Sequence, residues 1–178
     1  MQNRKIKNEE LDRKTAEEFK TAIKTPLIAV LDNVRSLHNV GAVFRTADAF
    51  LIEAVYLCGI TGCPPNKEIQ KSALGATETV NWKYFKTTQE ALEELSNLGY
   101  QTWAIEQVQG SISLENFEIK KTEKYALIFG NEVNGVDQDV VNQCKGSIEI
   151  PQAGTKHSLN VSISSGILLW DFFKVLRG

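Results

Sequence analysis

Apolar residues in this chain fall into short runs separated by stretches of helical periodicity. Residues 27–31 are apolar throughout, which is typical of a strand covered on both faces of a sheet. Runs or alternations of this kind predict six strands, at residues 27–31, 54–58, 79–83, 101–108, 125–129 and 147–150. Strands that alternate with helices predict an α/β fold with a mostly parallel six-stranded sheet flanked by helices.

Helical periodicity and capping residues predict the segments between the strands. We expect helices at residues 9–24, 39–51, 66–74, 87–99, 137–144 and from 159 onward. Asn39, Thr87 and Ser158 are the candidate N-caps, since their side chains can accept an N–H group of the first helical turn. The first helix precedes the first strand, so the chain divides into an N-terminal helical extension, residues 1–25, and one domain, residues 26–178.

Composition and charge narrow the classes of function. The formal net charge is −2 and the isoelectric point about 5.8, which argues against indiscriminate binding of nucleic acid. A basic N-terminal cluster is equally compatible with a solvated surface: Arg4, Lys5, Lys7, Arg13 and Lys14. The sequence has neither a signal-peptide pattern nor a membrane-length apolar run, so we expect a cytoplasmic protein. Three spaced cysteines and two histidines predict no metal site.

Three segments carry unusual residue combinations after predicted strands. Residues 39–45 read NVGAVFR, with an arginine six positions after an asparagine. Residues 129–135 read FGNEVNG, and residues 150–170 read IPQAGTKHSLNVSISSGILLW. In the last segment Ser162, Ser164, Ser165 and Gly166 form a small helical face, which predicts that other backbone passes close to it.

In this order the three segments resemble the motifs of the SpoU/TrmH branch of the SPOUT RNA 2′-O-ribose methyltransferases. The resemblance extends from about Pro26 to the C-terminus. It implies a deep C-terminal trefoil knot, a homodimer with the first-motif and last helices at its interface, and S-adenosylmethionine as cofactor. The implied substrate is RNA, with a tRNA D-loop guanosine as first choice. Ribosomal RNA, the tRNA wobble position and a non-catalytic RNA-binding protein of the same fold are the alternatives.

The resemblance also assigns candidate site residues. The cofactor pocket would be formed by five positions: Glu106, Gly130, Ile150, Ser158 and Leu159. The catalytic positions would be Asn39, Arg45, Glu132, Ser158 and Asn160. We favour an electrostatic role for Arg45, because a guanidinium keeps its charge at physiological pH and is a poor base.

Four other residues in or next to these segments bear on the expected reaction and substrate. His38 is a candidate base, but it ranks below Arg45 as a catalytic residue because the family motif does not require a histidine there. His157 is expected to face solvent in a loop. Val133 replaces a glycine that is common in the second motif, and Gln152 replaces a frequent methionine. These two departures put substrate details in doubt more than activity.

Overall fold

A computed structural model describes residues 3–178 and contains one sheet of seven strands. The strands are β1 Thr25–Asp32, β2 Ile52–Cys58, β3 Asn81–Phe85, β4 Tyr100–Ile105, β5 Ile112–Ser113, β6 Lys124–Phe129 and β7 Gly146–Glu149. Their order is β3-β2-β1-β6-β4-β7-β5, and every pairing is parallel. The predicted parallel α/β sheet is therefore confirmed, whereas the predicted count of six strands is wrong by one. The additional strand, β5, has two residues and is too short for a periodic pattern.

Seven α-helices flank the sheet. They are α1 Ala16–Thr21, α2 Leu37–Ala49, α3 Lys67–Ala73, α4 Ala76–Thr79, α5 Thr88–Asn97, α6 Gln138–Gln143 and α7 Val161–Arg177. Two 3-10 turns lie at Asn8–Glu10 and Leu114–Asn116. The short helix α4 was not predicted, and it displaces the start of β3 two residues toward the C-terminus. No helix among residues 3–178 combines the length and apolar character needed to cross a membrane.

The sheet separates two hydrophobic cores. On one face, Leu27, Ala29 and Leu31 of β1 pack with buried residues of α2 and α7. On the other face, Ile28 and Val30 pack with residues of α5 and α6. Since β1 is buried on both faces, its continuous apolar run follows from its central position in the sheet.

Two of the three predicted N-caps are wrong. Ser36, not Asn39, caps α2, because its side chain accepts the Asn39 N–H at 3.3 Å. Asn160, not Ser158, caps α7, with its side-chain oxygen 2.8 Å from the Ser162 nitrogen. Thr87 caps α5 as predicted.

The N-terminal helix is shorter than its apolar pattern suggested. Thr15 and Glu18 form a reciprocal capping box, so α1 begins at Ala16 instead of Glu9. Phe19 is buried against the main core. Ile23, which falls inside the helix predicted at residues 9–24, is 86% exposed because α1 ends before it.

Helix α7 presents its apolar residues to two environments. Leu168, Leu169 and Phe172 are fully buried, while Ile163 and Trp170 are 54% and 51% exposed. Ile163 and Trp170 therefore lie on the outer face of α7.

The prediction of a close backbone neighbour fails at Gly166, since a methyl group added there would have nothing within 4 Å. The hydroxyls of Ser164 and Ser165 instead donate to carbonyls of their own helix, at 3.1 and 3.0 Å. The trefoil knot stays a prediction.

Candidate active site

A cavity of about 490 Å³ opens where β4, β6 and β7 end. The carboxyl ends of parallel strands are the usual ligand-binding edge of an open α/β sheet. Two loops complete the cavity walls. The first, here called the β6 loop, is residues 130–136, and the second, the α7 loop, is residues 150–160. A volume in this range suits a small-molecule cofactor.

The β6 loop is closed by its own backbone. Asn131 and Gly135 exchange two N–H to carbonyl bonds of 2.9 Å each. The Asn131 side-chain oxygen accepts from the Val133 and Asn134 nitrogens at 2.8 and 3.2 Å. Its amide nitrogen donates to the Asn33 carbonyl at 2.8 Å. The loop is thus fixed internally and attached to the end of β1.

Two glycines are needed for this closure. A Cβ at Gly130 would lie 2.1 Å from both the Gly135 carbonyl carbon and the Val136 nitrogen. Gly135 has φ +70°, and a Cβ there would lie 2.1 Å from a carboxylate oxygen of Glu106. Closure of the β6 loop therefore requires glycine at position 130, independently of any contact with a cofactor.

Glu106 braces the same loop from β4. One of its carboxylate oxygens accepts from the Val136 nitrogen at 3.0 Å, and the other from the Gln107 nitrogen at 2.9 Å. Both oxygens are therefore already engaged by backbone N–H groups. Glu106 lines the cavity as predicted, but its first structural effect is to hold the β6 loop.

Glu132 joins the β6 loop to the start of α2. Its carboxylate accepts from the Arg35 and Ser36 nitrogens at 3.0 Å each and from the Asn39 side-chain nitrogen at 3.1 Å. Partial burial raises the pKa of the Glu132 carboxyl, but the N–H groups of Arg35, Ser36 and Glu132 itself, together with the Asn39 amide, bring it below its usual value. Asn39, 5% exposed, therefore positions Glu132.

The α7 loop is held far less tightly. Every residue from Pro151 to Asn160 is exposed. Across the cavity, Gln107 donates from its side-chain nitrogen to the His157 carbonyl at 3.1 Å. Ile150, Ser158, Leu159 and Asn160 all line the cavity. His157 is exposed, as predicted for a loop histidine.

The cavity wall has an acidic character. Glu106, Glu132 and Glu149 contribute carboxylates, and among the described residues that form the wall there is neither a lysine nor an arginine. A nucleotide phosphate usually binds cationic side chains as well as a helix N-terminus; here α7 begins at the wall, with Asn160 and Val161, but no cation accompanies it. The arrangement favours a cofactor that carries positive charge.

Metal and thiol chemistry have no support at this site. In residues 3–178 no group of three or more His, Cys, Asp or Glu side chains has a metal-binding arrangement. Cys144 lies outside the cavity wall, and burial raises the pKa of its thiol to about 11, which leaves little nucleophilic thiolate at neutral pH.

Arg45 does not join the other predicted catalytic residues within one chain. It lies exposed on α2 and is absent from the cavity wall. On the same helix, Asn39 reaches Glu132, while Arg45 follows six residues later on an outward face with His38 and Ala49. The structure therefore brings Asn39, Glu132, Ser158 and Asn160 to one region and leaves Arg45 outside it.

Sequence reasoning missed the supporting residues at the end of β1. The buried Asp32 carboxylate accepts from Thr88 Oγ1 at 2.6 Å and from the Asp137 nitrogen at 3.0 Å, which ties the starts of α5 and α6 to β1. Asn33, at φ +54°, supplies the carbonyl that holds Asn131. The sequence signal that could have identified these residues was the Asp32-Asn33 pair directly after the apolar run at residues 27–31.

Comparison with known proteins agrees with this geometry. The model of the SpoU rRNA Methylase family matches residues 26–170. A curated relative, the 23S rRNA (guanosine-2′-O-)-methyltransferase RlmB of Vibrio parahaemolyticus, is 33% identical over 148 residues, which is 83% of this chain and 59% of that protein. The chain thus spans less than two thirds of the length of this relative.

Two solved structures share the fold over most of the chain. The AdoMet-bound rRNA methyltransferase from Sinorhizobium meliloti superposes with a TM-score of 0.79 at 28% identity, covering 85% of this chain and 57% of that one. The TrmH/SpoU tRNA modifying enzyme of A. aeolicus gives 0.78 at 30% identity, covering 91% and 80%.

Proposed function

We propose that this chain, which belongs to the SpoU rRNA methylase family, transfers a methyl group from S-adenosylmethionine to a ribose 2′-hydroxyl of RNA. The observation that carries the proposal is the acidic cavity at the ends of β4, β6 and β7, whose wall includes residues of the second and third motif segments. Residues 26–178 would form the methyltransferase domain, with residues 1–25 as an extension.

The cavity residues fit this cofactor. Glu106, Glu132 and Glu149 place negative charge around the cavity, which suits a sulfonium and an ammonium group. The exposed main chain of the α7 loop at Ser158 and Leu159 supplies N–H and C=O groups that are free of helix or sheet bonds. When bound, the cofactor supplies an electrophilic methyl group.

Methyl transfer requires the 2′-oxygen in line with the S–CH3 bond and a place for its proton. The O–CH3 bond forms as the S–CH3 bond breaks, and the hydroxyl proton leaves to water. Arg45 would stabilise the developing negative charge on the oxygen, because its guanidinium stays cationic. Ser158 and Asn160 lie on the cavity wall where they could orient the ribose.

Arg45 is not part of the cavity wall of its own chain, so a second copy of the chain would have to bring it there. Helix α2 packs against α7, whose Ile163, Ile167 and Trp170 are 54%, 39% and 51% exposed. An apolar helix face of this kind next to a required cation supports a homodimer in which α2 and α7 form the interface. Each cavity would then receive the arginine of the partner.

A guanosine in ribosomal RNA is the first candidate substrate. Curated relatives carry the name 23S rRNA (guanosine-2′-O-)-methyltransferase, which favours the rRNA alternative over the tRNA D-loop. The similarity to a tRNA modifying enzyme keeps tRNA as second candidate. Comparing 2′-O-methyl maps of total rRNA and tRNA with and without this protein would decide between the two.

Cofactor binding tests the proposal directly. Calorimetry with S-adenosylmethionine, S-adenosylhomocysteine and ATP should show binding of the first two and none of ATP. Glu106→Gln is unsuitable as the diagnostic variant, because it also disturbs the β6 loop. If ATP binds and S-adenosylmethionine does not, the proposal is wrong.

The role of Arg45 is tested by substitution. Arg45→Ala should retain cofactor binding and lose methyl transfer, whereas Arg45→Lys should keep part of the activity with little new pH dependence near neutrality. An Arg45→Lys enzyme that is inactive at neutral pH and recovers steeply in alkali would assign the arginine as a base instead. Full activity of Arg45→Ala would exclude any part in the reaction.

A further inference from the structure

The edge strand β3 exposes two aromatic side chains on one face. Trp82 and Tyr84 are 38% and 47% exposed. They lie two positions apart on β3, so both side chains point to the same face of the sheet. Their parallel partners on β2, Val55 and Leu57, are fully buried. Large aromatic side chains left in solvent side by side are a usual sign of an interaction surface.

These aromatic residues are connected to the cavity through the loops at the same edge of the sheet. The Tyr84 hydroxyl donates to the Gly59 carbonyl at 3.0 Å. The next residue, Ile60, donates its N–H to the Asn33 side chain at 3.1 Å. The Asn33 carbonyl in turn accepts from Asn131, which is part of the cavity wall. A chain of hydrogen bonds thus runs from Tyr84 to the cavity wall.

The same edge carries exposed cations. Arg35 follows β1 and uses only its backbone nitrogen to bind Glu132, and Lys86 follows β3. Within the part of the chain that the structure describes, neither side chain makes a salt bridge. The Glu90 carboxylate accepts from the Lys86 backbone nitrogen at 3.0 Å.

We propose that this edge, here called the aromatic track, holds single-stranded RNA next to the nucleotide that enters the cavity. Bases would stack on Tyr84 and Trp82, and phosphates would contact Arg35 and Lys86. Stacking on aromatic rings beside cations is how single strands are held without a sequence code. Ile60, 68% exposed between the cavity and Tyr84, provides a further apolar contact. The inference rests on the proposed function for the identity of the strand.

Binding of short oligoadenylate to the full chain tests the aromatic track. Tyr84→Leu and Trp82→Leu keep apolar bulk and remove the aromatic ring, so each should weaken binding about tenfold. Tyr84→Phe and Trp82→Phe are the matched controls, since they retain a ring, and should bind within about twofold of the parent. Fluorescence anisotropy gives the affinities, and thermal unfolding checks that every variant is folded.

A matched oligomer of abasic ribose phosphates separates stacking from charge. Its binding should be insensitive to the leucine variants and should weaken in Lys86→Ala. Lys120→Ala is the remote control, because Lys120 is exposed and precedes β6 at the amino-terminal edge of the sheet. Unchanged oligoadenylate affinity in the leucine variants, or equal losses for the abasic oligomer, would overturn the proposal. A change of molecular mass in light scattering on Tyr84→Leu would identify the surface as a protein interface instead.

The two proposals fail separately. If S-adenosylmethionine binds and the leucine variants hold oligoadenylate normally, the aromatic track is wrong and the methyltransferase proposal stands. If the cofactor does not bind but the leucine variants lose oligoadenylate, the methyltransferase proposal fails and the nucleic-acid surface stands.

Discussion

The two loops that form the cavity differ sharply in how they are held. The β6 loop is closed by two backbone bonds of 2.9 Å and braced by Asn131, Glu106 and Glu132. The α7 loop is exposed along its whole length between Pro151 and Asn160. One wall of the cavity is therefore preformed, and the other lacks comparable internal support. We therefore expect the β6 loop to select the shape of the ligand and the α7 loop to close over the bound ligand.

The difference follows from long-range contacts. Residues of the β6 loop bind groups that are 30 to 98 positions away in the chain, including Glu106 and the Asn33 carbonyl. The hydrogen bond from Gln107 to the His157 carbonyl is the corresponding long-range tie of the α7 loop. Bound cofactor and a second chain would supply the missing contacts on this side.

The largest expected effect comes from filling the space inside the β6 loop. Gly130→Ala should lower the free energy of unfolding by about 3 kcal/mol, because its methyl group would meet backbone atoms that cannot move aside. Gly154→Ala in the α7 loop is the control, since nothing lies within 4 Å of that site, and should change stability by less than about 1 kcal/mol. Denaturant unfolding measures both. Similar losses in the two variants would remove the distinction between the loops.

The carboxylate that ties the β6 loop to α2 should contribute a smaller, pH-dependent amount. Glu132→Gln should cost about 1 kcal/mol at pH 7, because charge-assisted bonds are lost from a group that remains exposed to solvent. The folded protein lowers the pKa of Glu132 below its ordinary value of 4.5. Its contribution is therefore complete above pH 4.5 and is lost as the pH falls through the lowered value.

Unfolding free energies of the parent and Glu132→Gln across pH 3 to 7 check this expectation. The two curves should converge in acid. If the difference in unfolding free energy between the two proteins persists unchanged at pH 3, the shape of the Glu132 side chain and not its charge explains the loss. Asn39→Ala should show a smaller form of the same acid convergence, because the Asn39 amide donates to the Glu132 carboxylate and helps to lower its pKa.

The sequence predicted the parts of the site that depend on local chain order. The family resemblance named Gly130, Ile150, Ser158 and Leu159 as pocket residues, and the structure places all four on the wall of one cavity, where the carboxyl ends of parallel strands meet. The parallel sheet followed from the apolar run of β1. The cavity's acidic wall was not foreseen, although Glu106 and Glu132 were both named.

Contacts between distant residues could not be predicted. Asn39 reads as a helix cap, but Glu132 lies 93 positions away and binds its side chain, so Ser36 takes the capping role. Strand β5 has only two residues and leaves no periodic signal. Arg45 was grouped with the other catalytic positions by motif alone, and the structure places it on an outward face of α2 that is absent from the cavity wall.

Helix α7, which follows the loosely held loop, gives the next prediction. Gly166→Ala should raise the free energy of unfolding by about 1 kcal/mol, because alanine favours a helix and a methyl group there has open space. Thermal unfolding over a range of protein concentrations, with sedimentation to follow association, checks it. A loss of stability at low concentration would indicate close backbone near Gly166, as the small-residue pattern first suggested. Weaker association with a more stable monomer would place this face in a dimer.

The smallest expected effect concerns the loosely held loop itself. His157→Ala should change the free energy of unfolding by less than about 0.5 kcal/mol, because the side chain is exposed and its only cross-cavity bond uses the backbone carbonyl. Asn131→Ala in the β6 loop is the matched comparison and should cost more, since its side chain makes three bonds that close the loop. Denaturant unfolding of both variants measures the gap. Equal costs would mean that the α7 loop is packed as firmly as the β6 loop, and the assignment of ligand closure to the α7 loop would then lose its physical basis.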